Sequence, residues 1–316
     1  MKTRLTRSPR VAAEFIRAGE VVAFPTETVF GLGAALFSES AIEKVFIAKG
    51  RPSDNPLIAH VSFVGQIEEI AATIPPIAHE LIEAFFPGPL TLVLPRKPSV
   101  PKIATAGLET VGVRMPTHQL ALEFIRESGT PLVAPSANLS GRPSPTTWEA
   151  VKTDLDGRIA CILQGEQTHF GIESTVVDCS GGDAIVLRAG ALTIEDLRRV
   201  IPRITQRSDA SDQQPVSPGL KHRHYSPAAT VRLVSHPRHA GDESGAGFIG
   251  LTPPAATQLF ARQAVCLNVS DYAYTLFQFF RACDEDKIRV IYCERVEETG
   301  LGVALMDRLR RASRRD

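Results

Sequence analysis

Two patterns of apolar residues alternate along the chain. Short apolar runs, typical of buried strands, are interspersed with segments in which apolar residues recur every three or four positions, as on one face of a helix. Strand-like runs occur at residues 21–24, 57–61, 90–94, 111–115, 132–134, 158–163, 175–178 and 184–187, and helix-like segments at 38–49, 74–86, 119–127 and 147–155. Because several strand-like runs follow one another directly, the order predicts an α/β fold with a mixed sheet.

The pattern is interrupted after residue 205. A polar stretch at 205–214 has the composition of a linker, and a second α/β pattern begins at residue 231. We therefore predict two domains, at residues 1–205 and 231–316, joined by a linker at 206–230. The linker is unusual because it carries Lys221, Arg223, His224 and Tyr225 close together. Such a segment is typical of a lid over an anionic ligand rather than of a plain spacer.

Charge balance argues against a general nucleic-acid binder. The 316 residues include 35 Lys plus Arg and 35 Asp plus Glu, so the net charge is zero, whereas non-specific polyanion binders carry a basic excess. The exception is a C-terminal cluster of Arg308, Arg310, Arg311, Arg314 and Arg315. We interpret this cluster as the solvated end of a helix, where cations suit the helix dipole.

Cysteine usage and hydropathy bound the location of the protein. None of the five cysteines forms a C-x-x-C pair, so neither a zinc site nor a disulfide framework is indicated, and buried reduced thiols are expected. The basic N-terminus lacks the apolar region of a signal peptide, and no run approaches the ~18 apolar residues of a membrane span. These observations predict a soluble, cytoplasmic protein without a membrane partner.

Polar side chains follow the first strand-like run. Thr26, Glu27 and Thr28 come directly after it, and they either hold a small polar substrate or close a turn of their own backbone. Gly31 and Gly33 allow the backbone to approach a ligand closely or to adopt a positive φ.

Candidate cations stand near the ends of two further elements. Lys49 and Arg51 suit a triphosphate, although both also fit the exposed end of a helix. Asn55 and His60 flank the next strand, where a lone histidine is more often packed than functional. Arg114 either forks onto a carboxylate or makes a surface ion pair.

Two later segments repeat the arrangement of small polar residues at strand ends. Ser136 and Asn138 open a loop at 134–146 whose amides form either an anion-binding nest or a plain turn. Ser174 and Arg188 border two neighbouring apolar strands. Because ligands bind at strand ends in open α/β sheets, we expect these side chains to meet in one cleft.

Six segments, in this order, resemble the YrdC-type threonylcarbamoyl-adenylate synthases. They are Pro-Thr-Glu-Thr-Val-Phe-Gly-Leu-Gly (25–33), Lys-Gly-Arg-Pro-Ser-Asp-Asn-Pro-Leu (49–57), Pro-Gly-Pro-Leu-Thr (87–91), Val-Arg-Met-Pro (113–116), Ala-Pro-Ser-Ala-Asn-Leu-Ser-Gly (134–141) and Gly-Ile-Glu-Ser-Thr-Val-Val-Asp (171–178). The segment at 217–227 resembles the longer, two-domain branch. The resemblance implies a YrdC-like twisted mixed sheet flanked by helices in a catalytic domain, followed by a smaller Rossmann-like α/β domain.

The resemblance also implies an activity. Enzymes of this family are nucleotidyltransferases that combine L-threonine, bicarbonate or CO2 and ATP into threonylcarbamoyl-AMP, with release of pyrophosphate. The product serves the N6-threonylcarbamoyladenosine modification of tRNA through a downstream tRNA threonylcarbamoyl transferase complex. A Mg²⁺ ion would be bound with ATP rather than by protein side chains, and a weak direct contact with tRNA is left open.

Site residues carry over by motif position. The threonine contacts implied are Thr28, His60, Arg114, Ser174 and the backbone of Ala134. The ATP contacts implied are Arg51, Asn55, Thr110, Ser136, Ser144, Arg188 and Tyr225. The catalytic tetrad implied is Lys49, Arg51, Ser136 and Asn138. The chain departs from the family at Phe30, where Tyr is frequent, and at Leu220 and His222 in the linker.

Two alternatives come from other readings of the same chain. A carbamoyl-adenylate former of hydrogenase maturation would carry acylphosphatase and zinc-finger segments, for which this chain has no C-x-x-C pair. A non-catalytic double-stranded RNA or tRNA-binding module would need a concave basic surface, against which the zero net charge weighs. Salt-dependent RNA binding would distinguish the second alternative from an enzyme.

Overall fold

The computed structural model describes residues 2–207, 225–241 and 245–314. The linker residues Lys221, Arg223 and His224 lie outside these ranges, so the predicted lid is represented only by Tyr225.

The N-terminal part of the chain alternates strands and helices. Its strands are β1 (Arg4–Thr6), β2 (Val22–Phe24), β3 (Gly31–Ala35), β4 (Ile58–His60), β5 (Leu90–Pro95), β6 (Thr110–Arg114), β7 (Leu132–Val133), β8 (Cys161–Leu163), β9 (Thr175–Asp178), β10 (Ile185–Arg188) and β11 (Thr205–Gln206). Its helices are α1 (Pro9–Arg17), α2 (Glu39–Lys49), α3 (Ile67–Ile70), α4 (Pro76–Phe85), α5 (Gln119–Ser128), α6 (Trp148–Leu155) and α7 (Ile194–Val200).

These strands form one mixed sheet. Within the described ranges its order is β1-β8-β2-β3-β7-β4-β6-β5-β9-β10-β11. Strand β4 runs parallel to β6 but antiparallel to β7. The predicted mixed α/β fold is therefore confirmed. Gln206, at the start of the predicted linker, still pairs with Val186 of β10.

Local sequence sets the helix ends. The Ser8 side chain accepts a hydrogen bond from the amide of Val11 and caps α1, whose first residue is Pro9. Helix α2 ends at Gly50, which has a left-handed φ of 60°. This turn directs the chain from Lys49 towards Arg51, beside the candidate site.

Gly31 and Gly33 do not adopt the positive φ that was one of their two predicted roles. Both lie in β3, and neither has a positive φ. A Cβ atom at Gly31 would stand 3.2 Å from the ring of Phe24, and one at Gly33 would stand 3.0 Å from it. The glycines are required because an aromatic ring packs directly on the strand.

The chain beyond the linker forms a second, smaller unit, called here the C-terminal unit (described residues 225–241 and 245–314). It contains β12 (Thr230–Val234), β13 (Gly247–Gly250), β14 (Arg262–Val265), α8 (Val269–Glu285), β15 (Val290–Glu294) and α9 (Leu301–Ser313). Its described strands are all parallel, in the order β12-β15-β13-β14. This arrangement confirms the predicted Rossmann-like α/β architecture.

The two units share a hydrophobic core. Val29 and Ile172 of the N-terminal part belong to the same buried cluster as Phe277 and Leu305 of the C-terminal unit. Gly171 has a φ of 74°, and a Cβ atom there would stand 2.5 Å from the Cα of Tyr274 in α8. The turn before β9 is therefore pressed against the C-terminal unit.

Arg308, the first residue of the C-terminal arginine cluster, is not part of a solvated helix end, and Arg315 lies outside the described residues. Arg308 is fully buried, with 0% exposure. Arg310 pairs with Glu298, and Arg311 pairs with Asp307 at 2.9 Å. The prediction failed because the helix packs its Arg308 face against the N-terminal part instead of leaving it in water.

The cysteine thiols and the helices bear on two of the predictions from the sequence. All five cysteines are buried free thiols, and burial raises the pKa of Cys179 to about 12. Among the helices that the structure describes, none has the length and apolarity to cross a membrane.

Candidate active site

A pocket lies over one face of the large sheet. Alternate residues of a strand point to opposite faces. Ile58 and His60 of β4 line the pocket, whereas Ala59 and Val61 belong to the core on the other side. The site thus lies over a face of the mixed sheet, whereas the sequence analysis had expected a cleft at the strand ends.

Most of the predicted site residues meet in this pocket. It is lined by the predicted residues Thr28, Arg51, His60, Arg114, Ala134, Ser136, Ser174, Arg188 and Tyr225, and also by Thr26, Val29, Gly31, Pro56, Leu57, Ile58, Pro135 and Glu173. Lys49, Asn55, Thr110, Asn138 and Ser144 are not among its lining residues.

Two neighbouring strands hold one end of the pocket. His60 ends β4 and Arg114 ends β6, and the two are paired in register. Arg114 donates from Nη2 to Oε1 of Glu27 at 2.7 Å, and both side chains are only 5% exposed. The predicted alternative of a surface ion pair is therefore wrong, because this pair is buried within the site.

His60 is held as a neutral ring. Its Nδ1 lies 3.1 Å from the carbonyl oxygen of Ile58, and its edge packs at 6.0 Å on the ring of Phe24. Burial, followed by the positive charge of Arg114, lowers the pKa of His60 to about 3. With the Nδ1 proton donated to Ile58, the lone pair is on Nε2.

The depressed pKa of His60 predicts a pH-dependent stability. The unfolded chain protonates His60 near pH 6.5 while the folded chain does not, so the free energy of unfolding falls as pH drops from 6.5 towards 3. The slope from this residue is about 1.4 kcal/mol per pH unit. Urea denaturation at pH 7 and pH 5 should show that His60→Gln loses about 2 kcal/mol less than the wild type over this interval. Equal losses in both proteins would contradict the assignment.

The turn after β2 is built from threonine hydroxyls. Oγ1 of Thr26 accepts from the amides of Thr28 at 3.2 Å and Val29 at 3.3 Å, and it donates to the carbonyl of Val29 at 2.6 Å. The hydroxyls of Thr26 and Thr28 lie 2.9 Å apart. Thr26 therefore closes its own turn, and in doing so it fixes Thr28 in the pocket wall.

Lys49 lies behind the pocket. Its amine donates to the carbonyl of Ser136, to the carbonyl of Asn138 at 2.6 Å, and to Oδ1 of Asn138 at 3.4 Å. The side chain is 2% exposed, and burial lowers its pKa well below the usual value. Sequence reasoning placed this cation on a triphosphate, whereas the structure uses it to hold the turn that carries Ser136.

Asn138 reinforces the same turn. Its Oδ1 accepts from the hydroxyl of Ser136 at 2.6 Å, and its Nδ2 donates to the carbonyls of Leu139 and Arg142, both at 2.8 Å. The tetrad of Lys49, Arg51, Ser136 and Asn138 therefore divides into residues that face the pocket and residues that support it.

Ser174 and Arg188 are connected across adjacent strands. Nη2 of Arg188 donates to the carbonyl of Ser174 at 2.9 Å and lies 3.2 Å from its hydroxyl. The hydroxyl of Ser174 also lies 2.9 Å from that of Thr91 in β5. This network orients one face of Ser174 towards the pocket.

Several buried polar atoms at the site have no partner within the described residues. They are Arg51 Nε, both side-chain polar atoms of Asn55, Arg114 Nε and Glu27 Oε2. Buried polar groups are ordinarily hydrogen-bonded, so a group of several unpaired polar atoms in one place is unusual. Burial is also the main cause that lowers the pKa of Arg51 to about 10.

The remaining predicted ATP contacts lie around the pocket. Thr110 shares the sheet face of Arg114 but is four residues away in β6, about 13 Å along the strand. Ser144 donates its hydroxyl to Oε1 of Glu173 at 2.7 Å. Their predicted contacts with nucleotide stay predictions.

Sequence reasoning missed three residues that build the site. Glu27 was noticed but not assigned as the partner of Arg114. Thr91 and Glu173 were not singled out, although both stand inside quoted segments (87–91 and 171–178) and both bond to site residues. A polar residue buried within an otherwise apolar strand was the available signal for Thr91.

Comparisons with known proteins agree over nearly the whole chain. A family model described as "Telomere recombination" matches residues 14–190, and one described as "Threonylcarbamoyl-AMP synthase, C-terminal domain" matches residues 192–314. The chain is 44% identical over 320 residues to the threonylcarbamoyl-AMP synthase of Pyrococcus abyssi (96% of this chain, 93% of that protein). It is 43% identical over 326 residues to that of Bacillus subtilis (98% and 94%). The crystal structure of P. abyssi Sua5 complexed with L-threonine superposes with a TM-score of 0.89 at 41% identity, covering 99% of this chain and 97% of that one.

Proposed function

The chain belongs to the threonylcarbamoyl-AMP synthase family, and from this premise we propose how its pocket combines L-threonine, bicarbonate or CO2 and ATP. The product is threonylcarbamoyl-AMP, and pyrophosphate is released. The single observation that carries the proposal is a set of buried donors and acceptors that have no partner among the described residues: Arg51 Nε and Arg114 Nε in the pocket lining, Glu27 Oε2 on the carboxylate bonded to Arg114, and the Asn55 amide.

The threonine subsite is at the end held by β4 and β6. Arg114 provides a guanidinium whose Nε has no partner among the described residues, which suits the carboxylate of the amino acid. Oε2 of Glu27 also has no partner in that part of the chain and suits the amine. Thr28, His60 and Ser174 provide hydroxyl and imidazole groups nearby for the threonine hydroxyl.

The nucleotide subsite is at the other end, around Arg51, Ser136, Arg188 and Tyr225. Two guanidinium groups there suit the charges of a triphosphate. Asn55, whose amide nitrogen and oxygen have no partner within the described ranges, adds a donor and an acceptor beside them. The Tyr225 ring closes this end of the pocket.

The reaction needs positioning more than a nucleophilic side chain. The threonine amine adds to CO2 and loses a proton to give a carbamate; from bicarbonate, water leaves as well. A carbamate oxygen then attacks the α-phosphorus, the bond to the bridging oxygen breaks, and pyrophosphate departs. Arg51 and Arg188 would hold the phosphates and stabilise the developing charge, which is the main contribution of proteins to phosphoryl-type transfer.

The carboxylates of the pocket are engaged by arginines. Glu27 pairs with Arg114, and Glu173 pairs with Arg308 at 3.1 Å. The donor set at the nucleotide end is made of guanidinium and hydroxyl groups, which fits a Mg²⁺ ion held by the phosphates of ATP rather than by the protein. When bound, the ion supplies charge neutralisation of the departing pyrophosphate.

Pyrophosphate release measured with each substrate omitted in turn tests the proposed reaction. We expect release to require ATP, Mg²⁺, L-threonine and bicarbonate together, and mass spectrometry with ¹³C-bicarbonate to detect labelled threonylcarbamoyl-AMP. Because the carbamate is the attacking group, L-threonine methyl carbamate, in which the attacking oxygen is blocked, should give far less product. ATP turnover at the same rate without threonine would contradict the proposal.

The product is an activated acyl group for a separate transfer step. We propose that a tRNA threonylcarbamoyl transferase complex uses it to modify adenosine in tRNA. The purified protein should then leave tRNA unmodified when supplied with all small substrates, and addition of such a complex should yield N6-threonylcarbamoyladenosine. Modification of tRNA by this chain alone would contradict this division of labour.

A further inference from the structure

Arg308 of α9 reaches the back wall of the pocket. Its Nε donates to Oε2 of Glu173 at 3.1 Å, and its Nη1 donates to the carbonyl of Ala189 at 2.6 Å. Its guanidinium also lies over the ring of Tyr225, 5.5 Å from the centroid. Arg308 is fully buried. It also bonds Asp307 and Ala304 on its own helix, but Glu173 and Ala189 belong to the N-terminal part.

Each of these contacts leads to the nucleotide end of the pocket. Glu173 lines the pocket and accepts from Ser144 at 2.7 Å through its other oxygen. Ala189 directly follows Arg188, which lines the pocket. Tyr225 lines the pocket itself. One guanidinium therefore fixes the surroundings of Ser144, Arg188 and Tyr225.

Tyr225 needs such support because of its backbone. Its φ is 65°, a left-handed conformation that residues other than glycine and asparagine rarely adopt. Its ring stacks on that of Phe277 in α8, with the ring centroids 5.6 Å apart, and it also contacts the guanidinium of Arg308. Contacts from the C-terminal unit thus hold the ring in an orientation that the local backbone disfavours.

The charge of Glu173 gives Arg308 a second role. Glu173 is 7% exposed and faces the end of the pocket where we place a triphosphate. An uncompensated carboxylate there would repel the nucleotide, and removal of one partner of a buried ion pair is strongly unfavourable. Arg308 neutralises this carboxylate from behind, so that the cations of the pocket remain available to phosphate.

We propose that Arg308 is a positioning residue for nucleotide binding, which makes α9 of the C-terminal unit a working part of the active site. It acts through Glu173, Ala189 and Tyr225 without touching substrate. The inference rests on the proposed function, because it takes the end of the pocket near Tyr225 to be the ATP subsite. Loss of Arg308 should therefore weaken ATP binding selectively and leave threonine binding largely intact.

Calorimetric titration of the full-length protein with two ligands tests this inference. The ligands are α,β-methylene-ATP with Mg²⁺, which resists cleavage at the reacting bond, and L-threonine. For Arg308→Met we expect the Kd for the ATP analogue to rise at least tenfold and the Kd for threonine to change less than twofold. Arg310→Met is the matched control, since Arg310 lies on the same helix and pairs with Glu298 outside the pocket; both Kd values should stay within twofold of the wild type.

A rescue separates charge compensation from simple loss of packing. In Arg308→Met/Glu173→Gln the buried negative charge is gone, so this double variant should bind the ATP analogue at least threefold more tightly than Arg308→Met alone. Should Arg308→Met fail to fold, Arg308→Lys takes its place. The lysine keeps the charge but cannot bond Glu173 and Ala189 through a rigid guanidinium, and we expect at least a threefold loss for the analogue with threonine binding unchanged.

Several results would overturn the inference. Equal ATP-analogue affinity in the Arg308 and Arg310 variants would remove the assigned role. Equal weakening of both ligands, without rescue by Glu173→Gln, would reduce Arg308 to a purely structural residue. A wild-type protein that binds neither ligand would instead overturn the proposed function, and this result differs from the other two because it appears before any substitution is made.

Discussion

Replacement of Arg114 by Met should abolish threonine recognition while ATP binding persists. Arg114 ends β6 inside the pocket, and its Nε has no partner in the part of the chain that the structure describes. Charge-assisted hydrogen bonds to a carboxylate are worth about 1.5–3 kcal/mol each, so the Kd for L-threonine should rise by about 100-fold or more. Calorimetric titration with threonine and, separately, with an ATP analogue measures the two effects.

The substitution has a stability cost that must be separated from the affinity. Without Arg114, the carboxylate of Glu27 would be buried without a partner, which costs about 3–5 kcal/mol in comparable pairs. Arg114→Met/Glu27→Gln removes that charge and should restore stability but not threonine binding. Arg96→Met is the matched control, because Arg96 is 9% exposed and pairs with Glu109 away from the pocket. A threonine Kd within threefold of the wild type in the Arg114 variants would contradict the assignment.

Replacement of Lys49 by Met should reduce kcat more than tenfold although Lys49 does not line the pocket. Its amine holds the carbonyls of Ser136 and Asn138, so its loss displaces the turn that presents the Ser136 hydroxyl. The stability change should be modest, because removal of a buried charge offsets the loss of partners for two carbonyls. We expect the free energy of unfolding to change by less than about 2 kcal/mol.

Two comparisons show whether Lys49 acts through the turn. Lys44→Met, on the same helix, removes a half-exposed lysine that pairs with Glu20 and should leave kcat unchanged. Arg51→Ala should also lose more than tenfold in activity, but chiefly through a higher KM for ATP because Arg51 lines the pocket. Wild-type kcat in Lys49→Met would refute its role in positioning Ser136.

Sequence patterns predicted the elements well where local chemistry determines them. The caps at Ser8, Ser38 and Thr193 and the stop at Gly50 are made by hydroxyls and a glycine of the local sequence. The capping box at Thr193 is complete, with Asp196 as its reciprocal partner. These signals depend only on neighbouring residues, so long-range packing does not change them.

The position of the pocket could not be derived from strand ends alone. Strand β7 runs antiparallel to both β3 and β4. As a result, the amide of Ala134, after β7, donates to the carbonyl of Ile58 at the start of β4 rather than approaching its end. Strand directions depend on long-range pairing, and the pattern of apolar residues does not encode them.

Glu173 and Arg308 illustrate the same limit for side chains. They are 135 residues apart in sequence and meet at 3.1 Å. In sequence, Arg308 stands among arginines that pair at the surface, such as Arg310 with Glu298. Only the packing of α9 against the N-terminal part distinguishes the buried arginine from its neighbours.

The shared core explains why point variants are better probes than truncation. Ile172 is 0% exposed and packs with the C-terminal unit, directly beside Glu173 and Ser174. Removal of residues 230–316 would therefore expose the turn before β9 as well as remove Arg308. A raised ATP requirement after such a deletion would not separate the two causes.

The most direct test is a crystal structure of this protein with L-threonine and Mg²⁺-bound α,β-methylene-ATP. The central claim is that one pocket holds an amino acid and a nucleotide next to each other. We predict the threonine carboxylate on Arg114, the phosphates against Arg51 and Arg188, and the amine of threonine directed towards the α-phosphate. Threonine bound away from Arg114, or a nucleotide bound outside the pocket closed by Tyr225, would contradict the account.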